Sequence, residues 1–161
     1  MITIEARQSI RINRPPDEIF TYVSDLENLV DWCSVIISSR SISPGTIQAG
    51  TRVRTTVRFL GRWSETTFEI VEYKSGHYLT IKSITGIASC VFYYQFDPAE
   101  DGGTVVSQDA VVHLTEGSSD HPESVVTNAV RRQVKYDLQT LRDILESAVL
   151  GEGTESPELA L

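Results

Sequence analysis

The sequence predicts an α+β domain. A curved antiparallel sheet of about seven strands wraps around one long C-terminal helix, with two short helices after the first strand. Three observations carry this. From Pro122 to Leu150, apolar residues recur every three or four positions, at Val126, Val130, Val134, Leu138, Leu141, Leu145 and Ala148. That spacing lays one apolar stripe along an amphipathic helix. Ahead of it run six stretches of strand-like sequence separated by short turn signals, the pattern of an antiparallel meander. The helix, at about 1.5 Å per residue, is on the order of 40 Å long. Only the strand-rich middle of the chain offers enough apolar surface to cover it.

The elements follow in order. Ile4, Ala6, Gln8, Ile10 and Ile12 alternate with Glu5, Arg7, Ser9 and Arg11, which makes a half-buried first strand. Pro15 and Pro16 suit the entry to a helix, and Asp17 and Glu18 suit its positive end. Ile19, Phe20 and Val23 give that helix a short apolar face. Asp25 is placed to cap a second short helix running through Leu26, Leu29 and Val30 to Trp32. Strands are then expected at Val35 to Ile42, Thr51 to Leu60, Trp63 to Tyr73, Tyr78 to Ser83, Ala88 to Phe96 and Thr104 to Leu114. Asp120, with Glu123 three residues on, forms a capping box for the long helix, and Pro122 fits one of its first positions. The domain is thus expected over residues 1–150, and residues 151–161 read as a disordered acidic tail.

A single domain with its own core suits 161 residues, 40% of them hydrophobic. The net charge of −8 without a basic cluster argues against nucleic acid and anionic membrane as partners. No apolar run is long enough for a membrane span, and the N-terminus lacks a signal-peptide layout, so a cytoplasmic location is expected. Cys33 and Cys90 make no metal-ligand pattern and read as free buried thiols.

The local sequence also resembles a known family. Pro15-Pro16-Asp17-Glu18-Ile19-Phe20-Thr21-Tyr22-Val23-Ser24-Asp25-Leu26-Glu27-Asn28-Leu29, then Trp32, is similar to the opening helices of the START-like (SRPBCC) superfamily. Within it the chain most resembles the polyketide cyclase/dehydrase group. Phe68-Glu69-Ile70-Val71-Glu72-Tyr73, and Gly102-Gly103-Thr104 before the last strand, add to the likeness, which spans about residues 3–148. Trp32-Cys33, Val35 and Ser38-Ser39-Arg40 are similar to the Trp-Cys segment of the coenzyme-Q-binding branch. The proline-rich spacing usual before that tryptophan is replaced here by Leu29-Val30-Asp31. The resemblance implies a helix-grip fold with an internal cavity between the sheet and the long helix. Its members include cyclases, aromatases, lipid carriers and hormone receptors, so the fold alone does not choose an activity.

Strand parity nominates the cavity lining. Thr55, Val57 and Phe59 share one face, as do Thr66, Phe68 and Ile70. Later strands contribute Leu79, Ile81 and Ser83, then Cys90, Phe92 and Tyr94, then Val106, Gln108 and Ala110. Gln133 and Tyr136 flank the helix stripe, and Trp32 and Trp63 read as core or cavity-mouth aromatics. A single bulge would reverse the parity of a strand. Tyr94, Gln108 and Tyr136 are the candidate catalytic groups, since a buried phenol can donate to a carbonyl and a lone amide among apolar residues needs a partner. The candidate ligand contacts are Trp32, Thr55, Phe59, Phe68, Ile81, Ser83, Cys90, Phe92 and Gln133. Glu65 and Glu69 read as a solvated outer face, and as an internal carboxylate pair if that parity reverses. His77, His113 and His121 read as solvated, so there is no evident histidine base, no Ser-His-Asp set and no metal site. No cofactor is expected.

Three functions fit. The first is binding of a polyketide-like or aromatic molecule, with aldol cyclisation and dehydration if the site is catalytic. The second is non-catalytic carriage or sequestration of a lipid, quinone or secondary metabolite. The third is a protein-interaction module, which a filled core would favour.

Overall fold

The computed structural model describes residues 2–115 and 119–152, with side chains as far as Ser147 in the last helix. The first strand, β1 (Ile2–Ile12), is followed by α1 (Pro16–Ser24), a 3-10 turn at Leu26–Asn28 and α2 (Leu29–Trp32). Six strands come next: β2 (Ile36–Ser41), β3 (Arg52–Phe59), β4 (Arg62–Lys74), β5 (Tyr78–Ser83), β6 (Ser89–Pro98) and β7 (Thr104–Leu114). The last element is α3 (Glu123–Glu152). The sheet order is β1-β7-β6-β5-β4-β3-β2, every neighbouring pair antiparallel. This is the expected α+β helix-grip architecture. The expected tail lies outside the described residues from position 153 on.

The helix starts carry the expected chemistry with one change. Pro16 opens α1, and the Asp25 side chain accepts from the Glu27 N–H at the start of the 3-10 turn. At α3, however, the Pro122 carbonyl accepts from the Val125 and Val126 N–H groups. Pro122 therefore stands at the cap position itself, and Asp120 lies two residues outside the place where a capping box would act.

Two apolar clusters hold the sheet to α3. Toward the C-terminal half of the helix, Leu138, Leu141 and Leu145 pack with α1, α2 and the sheet, where Phe20 meets Tyr73 and Phe96 edge-to-face at 5.2 Å each. Toward its N-terminal half, Val126, Val130 and Val134 pack on Ile4 and Ala6 of β1 and Ala110, Val112 and Leu114 of β7. Cys90 and Phe92 touch both clusters, which places them at the seam between the two.

Parity survives where it matters. β4 carries a bulge between Ile70 and Glu72, beyond the segment that faces the helix, so Thr66, Phe68 and Ile70 all stay buried. Glu65 and Glu69 consequently lie on the outer face, Glu69 paired with Arg52 at 2.6 Å. Trp63 also falls on that outer parity. It is 59% exposed under the Arg58 guanidinium, so it is a surface aromatic rather than a core or mouth residue.

Candidate functional site

Between the two clusters the concave face of the sheet and α3 enclose a cavity. About 160 Å³ of it is open to the centre of a water molecule, room for on the order of ten waters. Its walls are mainly apolar: Phe68, Ile81, Phe92 and Val112 from the sheet, Val126, Val130 and Val134 from the helix. The β3–β4 hairpin supplies Leu60 and Arg62, and the β5–β6 turn supplies Ile87 and Ala88. Leu60 and Gly61 both have positive φ, as a two-residue hairpin turn of this hand requires.

Polar groups gather where Tyr94 meets the helix. Tyr94 on β6 pairs in register with Gln108 on β7, and both side chains line the cavity. The Tyr94 ring stands edge-on to Trp32 at 6.0 Å. Burial pushes the Tyr94 hydroxyl well above its usual pKa, and the nearby Cys33 and Asp137 push it the same way. Gln108 is 5% exposed, and its Oε1 has no hydrogen-bond partner. The Trp32 indole Nε1 is likewise buried without one. A buried amide or indole left unpaired is costly, so a satisfied complement is to be sought in whatever fills the space beside it.

Asp137 is the residue that sequence reasoning missed. It is 3% exposed and faces the cavity from α3. Its Oδ1 accepts from the Ser34 backbone N–H at 3.0 Å, and its Oδ2 from the Gln133 side-chain amide at 3.4 Å. Burial raises its pKa, while the hydrogen bonds from Ser34 and Gln133 oppose the rise. A signal was available: Val130, Val134, Asp137 and Leu141 are spaced four, three and four apart, so Asp137 shares the apolar stripe. Cys33, at the end of α2, also lines the cavity, and burial raises its pKa well above that of a free thiol.

Eight of the nominated residues line this cavity: Tyr94, Gln108, Phe59, Phe68, Ile81, Cys90, Phe92 and Gln133. Four do not. Tyr136 is 59% exposed and sits in a shallow outer cleft, because it lies on the flank of α3 turned away from the sheet. Trp32 is buried in the core behind Tyr94. Thr55 is buried with its hydroxyl donating to the Thr66 carbonyl at 2.8 Å. Ser83 is engaged by the β5–β6 turn, donating to the Ala88 carbonyl and accepting from the Cys90 N–H. Val35, Phe59 and Gln133 line both the cavity and the outer cleft, so the partition between them is one side chain thick.

No group of His, Cys, Asp and Glu among the described residues is placed to hold a metal ion. No helix among them is long and apolar enough to cross a membrane.

The family described as polyketide cyclase / dehydrase and lipid transport matches residues 3–146. The chain belongs to this family. Its fold is shared with several solved structures. An aromatase/cyclase named Zhui, from a Streptomyces species, superposes with a TM-score of 0.77 at 12% identity, covering 92% of this chain and 96% of that one. A START superfamily protein from Mycobacterium smegmatis gives 0.75 at 13% identity, covering 89% and 98%. A protein from Thermus thermophilus gives 0.76 at 22% identity, again covering 89% and 98%. At such identities the likeness is one of fold. No curated protein matches the chain.

Proposed function

We propose that this member of the family binds a hydrophobic small molecule, aromatic or polyketide-like, in the cavity between the sheet and α3. The observation that carries the reading is the cavity itself: a partly open, mainly apolar space with polar groups gathered on one wall, as small-molecule sites are built. Phe68 and Phe92, 6.1 Å apart, offer ring faces and edges to a flat ligand. The same space counts against a pure protein-interaction module, which would have no need of it. Native mass spectrometry of the purified protein, before and after denaturing extraction, tests the reading. Binding of a co-purified or added aromatic molecule in one-to-one ratio is the expected result. Failure of any hydrophobic molecule to bind would overturn it.

A catalytic use of the cavity is favoured by one arrangement, the neighbouring Tyr94 and Gln108. A phenol and an amide on adjacent strands can both donate to one carbonyl oxygen and stabilise charge that develops there. Enclosure would fold a flexible polyketone so that aldol closure becomes near-intramolecular. Tyr136, outside the cavity, has no part in it. Tyr94→Phe separates this from simple carriage: a cyclase loses rate by roughly 10²-fold or more, the scale of one acid catalyst, whereas a carrier changes only in affinity.

A further inference from the structure

Asp137 is a buried carboxylate with no cation beside it. Its two partners, the Ser34 N–H and the Gln133 amide, are neutral donors, and it enters no ion pair among the described residues. The titratable groups that feel its charge, Tyr94 from β6 and Cys33 from the end of α2, are not basic, and Arg62, which lines the same cavity from the β3–β4 hairpin, is not among the groups that shift its pKa. Neutral donors only partly offset the cost of holding an ionised carboxylate out of water, and a bound cation would offset far more of it. A second observation lies on the sheet, beside Tyr94. Gln108 is 5% exposed, lines the same cavity, and leaves its Oε1 unpartnered.

We propose that this polar wall is a subsite for a protonated amine, carried on an apolar aromatic body, with Asp137 as its counter-ion. The inference rests on the small-molecule reading of the cavity and adds the head group of the ligand. An ammonium brings three N–H donors. Asp137 would take one and the Gln108 oxygen a second, with the Tyr94 hydroxyl, in register beside Gln108 and lining the same cavity, as the acceptor for the third. Phe68, Ile81, Val112 and Val130 then receive the apolar body. A ligand carboxylate would be repelled by Asp137, and a neutral alcohol would bond to it while leaving its charge uncompensated.

Titration calorimetry with three probes on one ring system, naphthylmethylamine, naphthylmethanol and naphthoate, tests this on the full chain at neutral pH. The expected order for the wild type is amine over alcohol by about tenfold or more, the scale of one charge-assisted hydrogen bond, with naphthoate weakest. In Asp137→Asn the amine should lose that advantage while the alcohol still binds, which also reports that the variant is folded. Equal binding of amine and alcohol by the wild type overturns the proposal and leaves the small-molecule reading standing. So does an amine preference that survives Asp137→Asn. If none of the three binds, the amine subsite falls, and the small-molecule reading is decided by the mass spectrometry. Should the variant not fold, the order of the three probes on the wild type decides alone.

Discussion

Asp137 shows how one residue can set a pH dependence for the whole chain. Burial raises its pKa against the pull of Ser34 and Gln133, so the folded protein holds this proton more tightly than the unfolded chain does. The stability it contributes is complete below the unfolded carboxylate value of about 3.9 and is lost as pH rises through the higher folded value. Asp137→Asn removes that dependence. Urea midpoints of the ligand-free variant and wild type should therefore meet near the acid end and separate in the variant's favour as pH rises toward neutrality. A difference that stays constant with pH would refute the assignment. Cys90 belongs to the same scale. Burial pushes its thiol up to about 11, so at pH near 8 it should react with a chromogenic disulfide reagent at least about tenfold more slowly than an exposed cysteine.

At the scale of elements, the stripe on α3 divides between packing and lining. Leu141 is fully buried in the cluster formed with α1 and α2. Leu141→Ala should cost about 2–5 kcal/mol, read by chemical denaturation. Val130 faces the cavity, where empty space already exists, and Val130→Ala should cost only about 1–2 kcal/mol. The β5–β6 turn is tied to the cavity through Gly86. Its φ is +126°, and a Cβ there would stand 2.6 Å from Oγ1 of Thr66, which lines the cavity. Gly50, at φ +96°, has nothing within 4 Å of the place a Cβ would take. Gly50→Ala thus measures backbone strain alone, about 1 kcal/mol, and Gly86→Ala should cost roughly 1–3 kcal/mol more. Equal costs would mean that the turn yields freely at Thr66.

For the whole molecule, the consequence of an internal site formed only on folding is linkage between ligand and stability. A ligand that binds only the folded protein, at about a hundred times its Kd, adds about 2.7 kcal/mol. For a chain of this size that is a rise in Tm of roughly 5–10 °C. Naphthylmethylamine is expected to produce it in the wild type. Cutting the cavity off by Val130→Trp should abolish the rise while leaving the protein folded, since the added indole has the cavity to enter. A rise that persists in this variant would place the probe elsewhere, such as in the outer cleft beside Tyr136.

The architecture was legible because it rests on local patterns. Period-two alternation marked the first strand and the long strands Thr51 to Leu60 and Trp63 to Tyr73, and the threes and fours from Val126 to Leu145 marked α3. Turn residues joined the strands as an antiparallel meander, and the parity of Phe68, Ile81, Phe92, Tyr94 and Gln108 followed from the pleat, which has a period of two. What each polar residue does was not local. Tyr136 and Asp137 are adjacent on one helix, yet one is in solvent and the other against the cavity, because the angle at which α3 meets the sheet decides which flank is covered. Thr55 and Ser83 face inward as their parity requires, but backbone groups of neighbouring segments take their hydroxyls. Asp137 joined the site only when the loop after α2 brought the Ser34 N–H to it across 103 positions of sequence. Periodicity determines which face a side chain is on. Only the packing of distant segments decides what it meets there.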